Sequence, residues 1–287
     1  MILLSSNKTT SLHTGIANQF GATIGNVETR QFPDKEIYLR IQEDLKDQNV
    51  LVVQNIRTER DFLELLFLLE AARSMEPSRI DLLFPYFQYA RQHMRYNIGE
   101  PISSKVIVEA VSPYVDALYS IDIHNEETLE FSSKPFNNFE ITDSIVKHYK
   151  EMDISFVVSP DDGGYNRAMR IGKALGSTAF HLDKKRENDS TVKVVMNDIL
   201  DIYGRNILLI DDIISTGGTV LQSIELLKRR KVNKIYVCAV HGIFANRCDE
   251  TISFSTSGLS VTNTIESIFS SIDVSEEISK KLKELIK

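Results

Sequence analysis

The chain has 287 residues, of which 42% are hydrophobic and 25% are charged, and its formal net charge is −7. This length allows two domains of ordinary size, and this composition argues against long disordered segments. The negative charge argues against a general attraction to nucleic acid or anionic membranes, so any phosphate binding has to come from local pockets. Residues 1–10 lack a basic segment followed by a long apolar core, so we expect a cytoplasmic protein.

Apolar runs alternate along the chain with stretches that carry apolar residues at helical spacing. The short apolar runs predict strands, and the longer amphipathic stretches predict helices. The predicted strands are residues 2–5, 80–84, 117–121, 156–159, 207–210 and 235–240, and the predicted helices are 62–74, 103–111, 141–150, 220–227 and 276–287. Such alternation is typical of βαβ units, so the predicted class is α/β, with mostly parallel sheets flanked by helices.

Residues 49–87 and residues 206–244 follow the same pattern. Each is an apolar strand, a polar turn, an amphipathic helix ending in basic residues, and a second apolar strand that closes on phenylalanine. Chance similarity between two βαβ units is the alternative, but the shared length and closing pattern favour a duplicated domain. A loop-like stretch at 132–138 separates the copies, so we predict an N-terminal α/β domain at 1–141 and a C-terminal α/β domain at 142–287.

The two copies differ where a ligand site would lie. The Asp211-Asp212 pair of the second copy aligns with Gln54-Asn55 of the first, and Gly217-Gly218 aligns with Arg60-Asp61. The first copy therefore lacks the acids and glycines, and we expect it to hold another ligand or to build interfaces.

The segment 207–219, ILLIDDIISTGGT, joins a predicted strand to a predicted helix through two carboxylates and a turn rich in hydroxyls and glycine. Ligands of open α/β sheets bind beyond the carboxyl ends of the strands, where a helix N-terminus offers backbone N–H groups to a phosphate. Carboxylates accept hydrogen bonds from a vicinal diol, so the segment predicts a site for ribose 5-phosphate. It resembles the phosphoribosyl pyrophosphate motif of the type I phosphoribosyltransferase fold. The alternative is a polar turn with a helix cap, but paired acids directly after a buried strand favour the ligand site.

Three further polar segments are candidates for catalysis. Residues 122–124 (DIH) and 159–164 (SPDDGG) each follow an apolar strand, where their side chains would face the crevice. Asp161, with His124 nearby, would suit Mg²⁺, which prefers oxygen ligands; a structural histidine and an ordinary turn are the alternatives. Residues 183–189 (DKKREND) lack periodicity and predict a mobile loop, for which a solvated charge run is the alternative.

Two segments of the first half carry side chains that suit a nucleotide. In FPDKE (32–36) an aromatic ring beside an acid can stack on a purine, and in YARQ (89–92) an arginine can hold a polyphosphate in bidentate fashion. Neither segment is specific by itself.

Taken in order, these segments make the chain similar to the ribose-phosphate pyrophosphokinases over nearly its whole length. The chain's brevity resembles the short archaeal members. The segments that carry the resemblance are FPDKE (32–36), PYFQYARQ (85–92), GEPISSK (99–105), DIH (122–124), VVSPDDGG (157–164), DKKR (183–186) and IDDIISTGGT (210–219).

The resemblance implies a role for each group of candidate residues. The candidates for ATP binding are Phe32, Asp34, Lys35, Glu36, Arg91 and Gln92. The candidates for ribose 5-phosphate binding are Arg186, Asp211, Asp212, Ser215, Thr216, Gly217, Gly218 and Thr219. The candidates for holding the Mg²⁺ cofactor are His124 and Asp161, and the candidates for a catalytic loop are Lys184 and Arg186.

The resemblance also implies the reaction and the assembly. The anomeric hydroxyl of ribose 5-phosphate would attack the β-phosphorus of Mg-ATP and release AMP, in a homo-oligomer that we expect to be a dimer. A phosphoribosyltransferase and a non-catalytic regulatory paralogue are the alternatives. The first would not need FPDKE, YARQ or a second domain, and the second could lose the loop cations that Lys184 and Arg186 retain. Ser215 stands where many bacterial members have an aspartate, so their regulation is not carried over.

Overall fold

A computed structural model describes residues 1–188, 191–195 and 201–286. The chain divides into two compact units, the first formed by Met1–Glu140 with Ser275–Lys287 and the second by Ile141–Val274. No helix in the described part is long and apolar enough to cross a membrane.

The first unit is built on a six-stranded parallel sheet with the strand order β2-β1-β5-β6-β7-β8. Its central strands are continuous apolar runs that are buried, as expected for a parallel sheet covered by helices on both faces. The elements are β1 (Ile2–Leu4), α1 (Ser11–Phe20), β2 (Thr23–Ile24), β3 (Val27–Gln31), β4 (Ile37–Ile41), β5 (Asn49–Val53), α2 (Glu59–Ser74), β6 (Arg79–Phe84), α3 (Ser103–Val111), β7 (Ala117–Ile121) and β8 (Phe136–Phe139).

The second unit has a parallel sheet of the same size, with the strand order β10-β9-β13-β14-β15-β16. Leu209 of β13 is paired on one side with Val158 of β9 and on the other with Val237 of β14. The elements are α4 (Asp143–Tyr149), β9 (Phe156–Ser159), α5 (Tyr165–Leu175), β10 (Thr178–His181), β11 (Asp183–Asn188), β12 (Thr191–Val195), β13 (Asn206–Ile214), α6 (Gly218–Arg229), β14 (Lys234–Gly242), α7 (Cys248–Ser255), β15 (Gly258–Thr262) and β16 (Ser270–Ile272).

The two main sheets have the same strand order once their strands are counted in chain order, with the β3–β4 and β11–β12 hairpins set aside. In each sheet the second strand lies on one side of the first strand, and all later strands lie on its other side. This change of side lies between β1 and β5 in one unit and between β9 and β13 in the other. Such a change of side opens a crevice beyond the carboxyl ends of the two strands. The predicted fold class, two parallel-sheet α/β domains, is confirmed.

The C-terminal helix α8 (Ser275–Leu285) belongs to the first unit. The Nζ of Lys283 donates to the carbonyl of Gln19 at the end of α1 (2.6 Å) and lies 5.3 Å from the ring centre of Phe20. Ile278 and Leu282 are fully buried. The predicted boundary at 141/142 would put this helix in the second domain. Amphipathic spacing predicts that a helix packs, but it does not identify the surface on which it packs.

The prediction of a loop at 183–189 is wrong for residues 183–188, and residue 189 lies outside the described residues. Residues 183–188 form β11, which pairs antiparallel with β12. Strand β12 reads TVKVV, and its β-branched residues have high strand propensity. The polar first strand has no periodicity of its own, so its pairing depends on this neighbour.

Candidate active site

The candidate site of the second unit lies in the crevice between β9 and β13. Asp161 follows the carboxyl end of β9, and Asp211 and Asp212 lie near the carboxyl end of β13. Asp211 interacts electrostatically with Asp161, Asp212 and Arg167 of α5. The structure therefore brings together acids that the sequence places on two separate segments.

The electrostatic state of Asp211 reflects this crowding. Burial raises the pKa of Asp211 well above its ordinary value, and the negative charges of Asp212 and Asp161 raise it further, while Arg167 opposes the shift. The Asp211 Oδ1 accepts the backbone N–H of Asp212 (2.9 Å), and the Asp212 Oδ1 accepts that of Ile213 (2.8 Å). A ligand that supplies hydroxyl donors or a cation would therefore stabilise the ionised form of Asp211.

The phosphate loop, which we define as residues 215–219, connects β13 to α6. Helix α6 begins at Gly218. Its cap residue, Gly217, has a left-handed φ of 76° and, being a glycine, has no side chain that could cap the helix. A Cβ placed on Gly218 would have no described heavy atom within 4 Å, and Thr216 is exposed. The first backbone N–H groups of a helix have no intrahelical partner, so this end of α6 presents donors of the kind that bind an anion.

The N-terminus of the equivalent helix in the first unit is capped differently. Helix α2 begins at Glu59, and its cap Thr58 forms a capping box with Asp61, the residue that aligns with Gly218. The carboxylate of Asp61 accepts the N–H groups of Arg57 (2.9 Å) and Thr58 (2.8 Å). An internal carboxylate therefore satisfies the helix end that remains open in the second unit.

The crevice between β1 and β5 is also crossed by hydrogen bonds. Gln54, which aligns with Asp211, is fully buried. Its Oε1 accepts the N–H (3.0 Å) and the hydroxyl (2.9 Å) of Ser6, and its Nε2 donates to the carbonyl of Asp61 (3.1 Å). The side-chain amide thus bridges the strand end and the helix end, where the second unit has a carboxylate.

The FPDKE segment forms the turn of the β3–β4 hairpin and contains Phe32, Asp34, Lys35 and Glu36. Phe32 closes the turn by donating its N–H to the carbonyl of Glu36 (2.9 Å), and Lys35 adopts a left-handed φ of 74°. The guanidinium of Arg30 lies over the rings of both Phe32 (4.7 Å) and Tyr38 (4.2 Å). The Phe32 side chain is partly exposed, and its ring contacts the guanidinium of Arg30.

Arg91 and Gln92 lie before α3 in the first unit. Gln92 is tied to the start of this helix, because its Oε1 accepts the hydroxyl of Ser103 and its carbonyl accepts the hydroxyl of Ser104 (3.2 Å). Arg91 is exposed. The Arg91 side chain therefore lies on the surface, whereas hydrogen bonds to α3 fix the position of Gln92.

The two predicted metal ligands lie in different units. His124 is exposed and follows Asp122, whose left-handed φ of 40° turns the chain at the end of β7; such strain in a non-glycine residue is typical of functional sites. The Asp161 Oδ1 accepts the N–H of Gly164 (3.3 Å). Among the described residues no three His, Cys, Asp or Glu side chains are arranged as metal ligands. The acids around Asp211 are nevertheless the oxygen donors that Mg²⁺ prefers, so the Mg²⁺ site stays a prediction.

Lys184 and Arg186 lie on β11, but their side chains are outside the described part of the structure. Two further residues were missed by sequence reasoning. Arg167 follows the SPDDGG segment on α5, and Cys248 touches the phosphate loop from α7. The basic residue near a candidate acid was a usable signal for Arg167, whereas no sequence pattern points to Cys248.

Comparisons with known proteins identify both halves of the chain. Residues 1–113 match the family model of the N-terminal domain of ribose phosphate pyrophosphokinase, and residues 136–273 match that of the phosphoribosyl transferase domain. The ribose-phosphate pyrophosphokinase of Thermoplasma volcanium is 40% identical over 258 residues, 90% of each chain. That of Thermoplasma acidophilum is 38% identical over 274 residues, 96% of each chain.

A solved structure supports the fold. The phosphoribosylpyrophosphate synthetase from Mycobacterium smegmatis superposes with a TM-score of 0.84 at 22% identity, covering 99% of this chain and 98% of that one. Together with the matches of both family models and the identity to the Thermoplasma proteins, this shows that the chain belongs to the ribose-phosphate pyrophosphokinase family of transferases.

Proposed function

We propose that the protein transfers the β,γ-pyrophosphoryl group of Mg-ATP to the anomeric hydroxyl of ribose 5-phosphate, giving 5-phosphoribosyl 1-pyrophosphate and AMP for nucleotide biosynthesis. Family membership supports this reaction. The single observation that carries it is the open end of α6 beside Asp211, since this arrangement offers anion-binding N–H groups next to acceptors for a sugar diol.

Ribose 5-phosphate binds with its phosphate in the phosphate loop and its ring hydroxyls on the acids. The backbone N–H groups and the hydroxyls of Ser215, Thr216 and Thr219 donate to the phosphate oxygens, and Gly217 and Gly218 allow close approach. Asp211 and Asp212 accept from the 2- and 3-hydroxyls, which lowers the pKa of Asp211 toward its ordinary value because hydrogen-bond donors favour the charged form.

ATP binds through residues of the first unit. The ring of Phe32 stacks on the adenine, while Asp34, Lys35 and Glu36 contact the nucleotide through polar groups. The guanidinium of Arg91 holds the polyphosphate, and Gln92 supports this segment through its bonds to α3. As the sequence predicts, Asp161 and His124 would each supply a ligand for the metal, and Mg²⁺ would neutralise phosphate charge when bound.

The chemical step depends on alignment and charge. The sugar oxygen bonds to the β-phosphorus as the bond from that phosphorus to the α,β-bridging oxygen breaks, so AMP leaves with the bridging oxygen. The anomeric O–H bond also breaks, and its proton passes to solvent. Lys184 and Arg186 supply positive charge to the oxygens on which negative charge develops, and Arg186 also contacts the sugar phosphate. We place this activity in the cytoplasm, in a homo-oligomer that is a dimer.

One assay tests the reaction against its alternatives. The protein is incubated with ATP, Mg²⁺ and ribose 5-phosphate, and the nucleotide product is identified by chromatography. AMP should appear in equal amount to the sugar product. ADP formed at the rate of the sugar product would refute transfer from the β-phosphorus. Binding of 5-phosphoribosyl 1-pyrophosphate without turnover would identify a regulatory paralogue, and consumption of that compound with a free base would identify a phosphoribosyltransferase.

A further inference from the structure

The phosphate loop rests on the first turn of α7, at Cys248. The Sγ of Cys248 donates to the backbone carbonyl of Ser215 at 3.2 Å. Cys248 is 5% exposed, and burial raises the pKa of its thiol above the ordinary value, with the charge of Asp249 acting in the same direction. The thiol therefore stays protonated and remains a donor at neutral pH.

The same residue limits the space behind Gly217. A Cβ added to Gly217 would lie 2.9 Å from the Cβ and 3.1 Å from the Sγ of Cys248, and 3.2 Å from the Cδ1 of Ile252. These distances are shorter than ordinary van der Waals contact, so the glycine backbone is already packed directly against α7. Any bulkier group on either side would have to move the loop.

The chain between β14 and α7 adds three backbone hydrogen bonds to this contact. The N–H groups of Ile243 (2.9 Å) and Phe244 (3.1 Å) donate to the carbonyl of Ile214, and that of Ala245 donates to the carbonyl of Ser215 (2.9 Å). Phe244 has a left-handed φ of 54°, and two of the next three residues are also left-handed. Since such conformations are unfavourable in non-glycine residues, the connection is held in a strained form against the loop.

We propose that Cys248 is a positioning residue for ribose 5-phosphate: its thiol and its close contact with Gly217 fix the phosphate loop in the conformation that binds the sugar phosphate. This inference rests on the proposed function of the loop. Cys248 does not donate to the ligand. It acts through the Ser215 carbonyl and the Gly217 backbone, so its substitution should change the sugar phosphate affinity and leave the ATP affinity unchanged.

Three substitutions separate the hydrogen bond from the packing. Cys248→Ala removes the donor and should raise KM for ribose 5-phosphate about fivefold, the effect of one lost hydrogen bond. Cys248→Ser keeps a donor and should stay within about twofold of the unchanged protein. Cys248→Val removes the donor and adds a methyl group against Gly217, and should raise KM roughly tenfold or more. KM for ATP should not change in any of them.

The other cysteine provides a matched control. Cys238 is fully buried in β14 of the same unit, so Cys238→Ala also deletes one buried thiol. It should lower the melting temperature without changing KM for ribose 5-phosphate. An unchanged KM in both Cys248→Ala and Cys248→Val would overturn the proposal. So would a rise in both substrates' KM that Cys238→Ala reproduces, since that is the behaviour of a structural residue.

Calorimetric titration with ribose 5-phosphate alone keeps this test independent of the reaction. Unchanged protein that binds the sugar phosphate but forms no AMP would refute the proposed reaction, and the dissociation constants of the three variants would still decide the role of Cys248. Unchanged protein that does not bind ribose 5-phosphate would overturn both proposals.

Discussion

Thr58 and Asp61 hydrogen-bond to each other at the N-terminus of α2: the N–H of Asp61 donates to the Thr58 hydroxyl (3.1 Å), and the N–H of Thr58 donates to the Asp61 carboxylate (2.8 Å). This closes the helix end with a negative charge belonging to the chain itself. In the second unit the aligned residues are Ser215 and Gly218, and no such pair forms among the described residues. The same supersecondary unit is thus capped in one half and open in the other.

The first prediction introduces the carboxylate of the first unit into the second. Gly218→Asp should raise KM for ribose 5-phosphate at least tenfold, roughly 1.4 kcal/mol, because an acid at the start of α6 interacts with the helix N-terminus and repels the substrate phosphate. The melting temperature should be equal or higher, since acids stabilise helix N-termini. Steady-state kinetics and thermal unfolding measure the two effects.

Gly218→Ala is the control for Gly218→Asp. The alanine Cβ would have no described heavy atom within 4 Å and the residue does not have a positive φ, so a methyl group fits. Its KM should stay within about threefold of the unchanged protein, because no charge is added. Equal KM values for the alanine and aspartate variants would contradict phosphate binding at this end of the helix.

The second prediction concerns Asp211, whose pKa is raised by burial and by the charges of Asp212 and Asp161. The folded protein holds this proton more tightly than the unfolded chain, so the contribution of Asp211 to stability is present below its unfolded pKa and is lost as pH rises through the folded pKa. Asp211→Asn cannot lose a proton. Without ligands, the variant should melt at a higher temperature than the unchanged protein at pH 8, and the difference should shrink toward pH 4.

The same substitution should weaken binding of ribose 5-phosphate by about 1 to 3 kcal/mol, because the amide cannot replace the carboxylate as a double acceptor. Calorimetric titration measures this loss. Glu225→Gln, which neutralises an exposed carboxylate on α6, is the control and should show neither effect. A melting-temperature difference for Asp211→Asn that does not vary with pH would contradict the raised pKa.

Sequence reasoning succeeded where one local pattern determines the structure. The strands at 117–121 and 156–159 and the helix at 103–111 have the predicted bounds, because continuous apolar runs and apolar residues at helical spacing each identify one type of element. The pairing of the two copies was also predictable, since both carry the same order of strand, turn and helix. The two strands of each copy pair in parallel, as the βαβ pattern predicts.

Contacts between segments distant in the chain were not predictable. The Sγ of Cys248 meets a carbonyl 33 residues earlier, and neither residue belongs to a pattern that would indicate this contact. The same applies to the packing of α8 on α1 and to the strand at 183–188, whose partner determines its conformation. These features depend on packing between distant segments, which local patterns in a single sequence do not reveal.

The third prediction tests the support of Phe32. The guanidinium of Arg30 lies over the rings of both Phe32 and Tyr38, so Arg30→Ala should free the Phe32 ring and raise KM for ATP about threefold to tenfold, the effect of one or two cation–π contacts. KM for ribose 5-phosphate should not change. Arg30→Lys retains the charge without the planar stack and should give an intermediate KM. Arg40→Ala, an exposed arginine on the same hairpin, is the control, and a loss equal to that of Arg30→Ala would assign the effect to hairpin charge alone.

The last prediction concerns the source of the adenine pocket. We expect the hairpin turn that carries Phe32 and Glu36 to complete the active site of a neighbouring subunit. Two inactive variants test this: one chain carries Phe32→Ala with Glu36→Ala, and the other carries Lys184→Ala, which should lower kcat about a hundredfold. In a symmetric dimer about half of the reassembled particles are hybrids with one intact site of two, so mixing after mild dissociation should restore about a quarter of the original activity. If each pocket is built within one chain, every hybrid site carries a lesion. Absence of recovery, with subunit exchange verified by mass-tagged chains, would therefore reject the shared site.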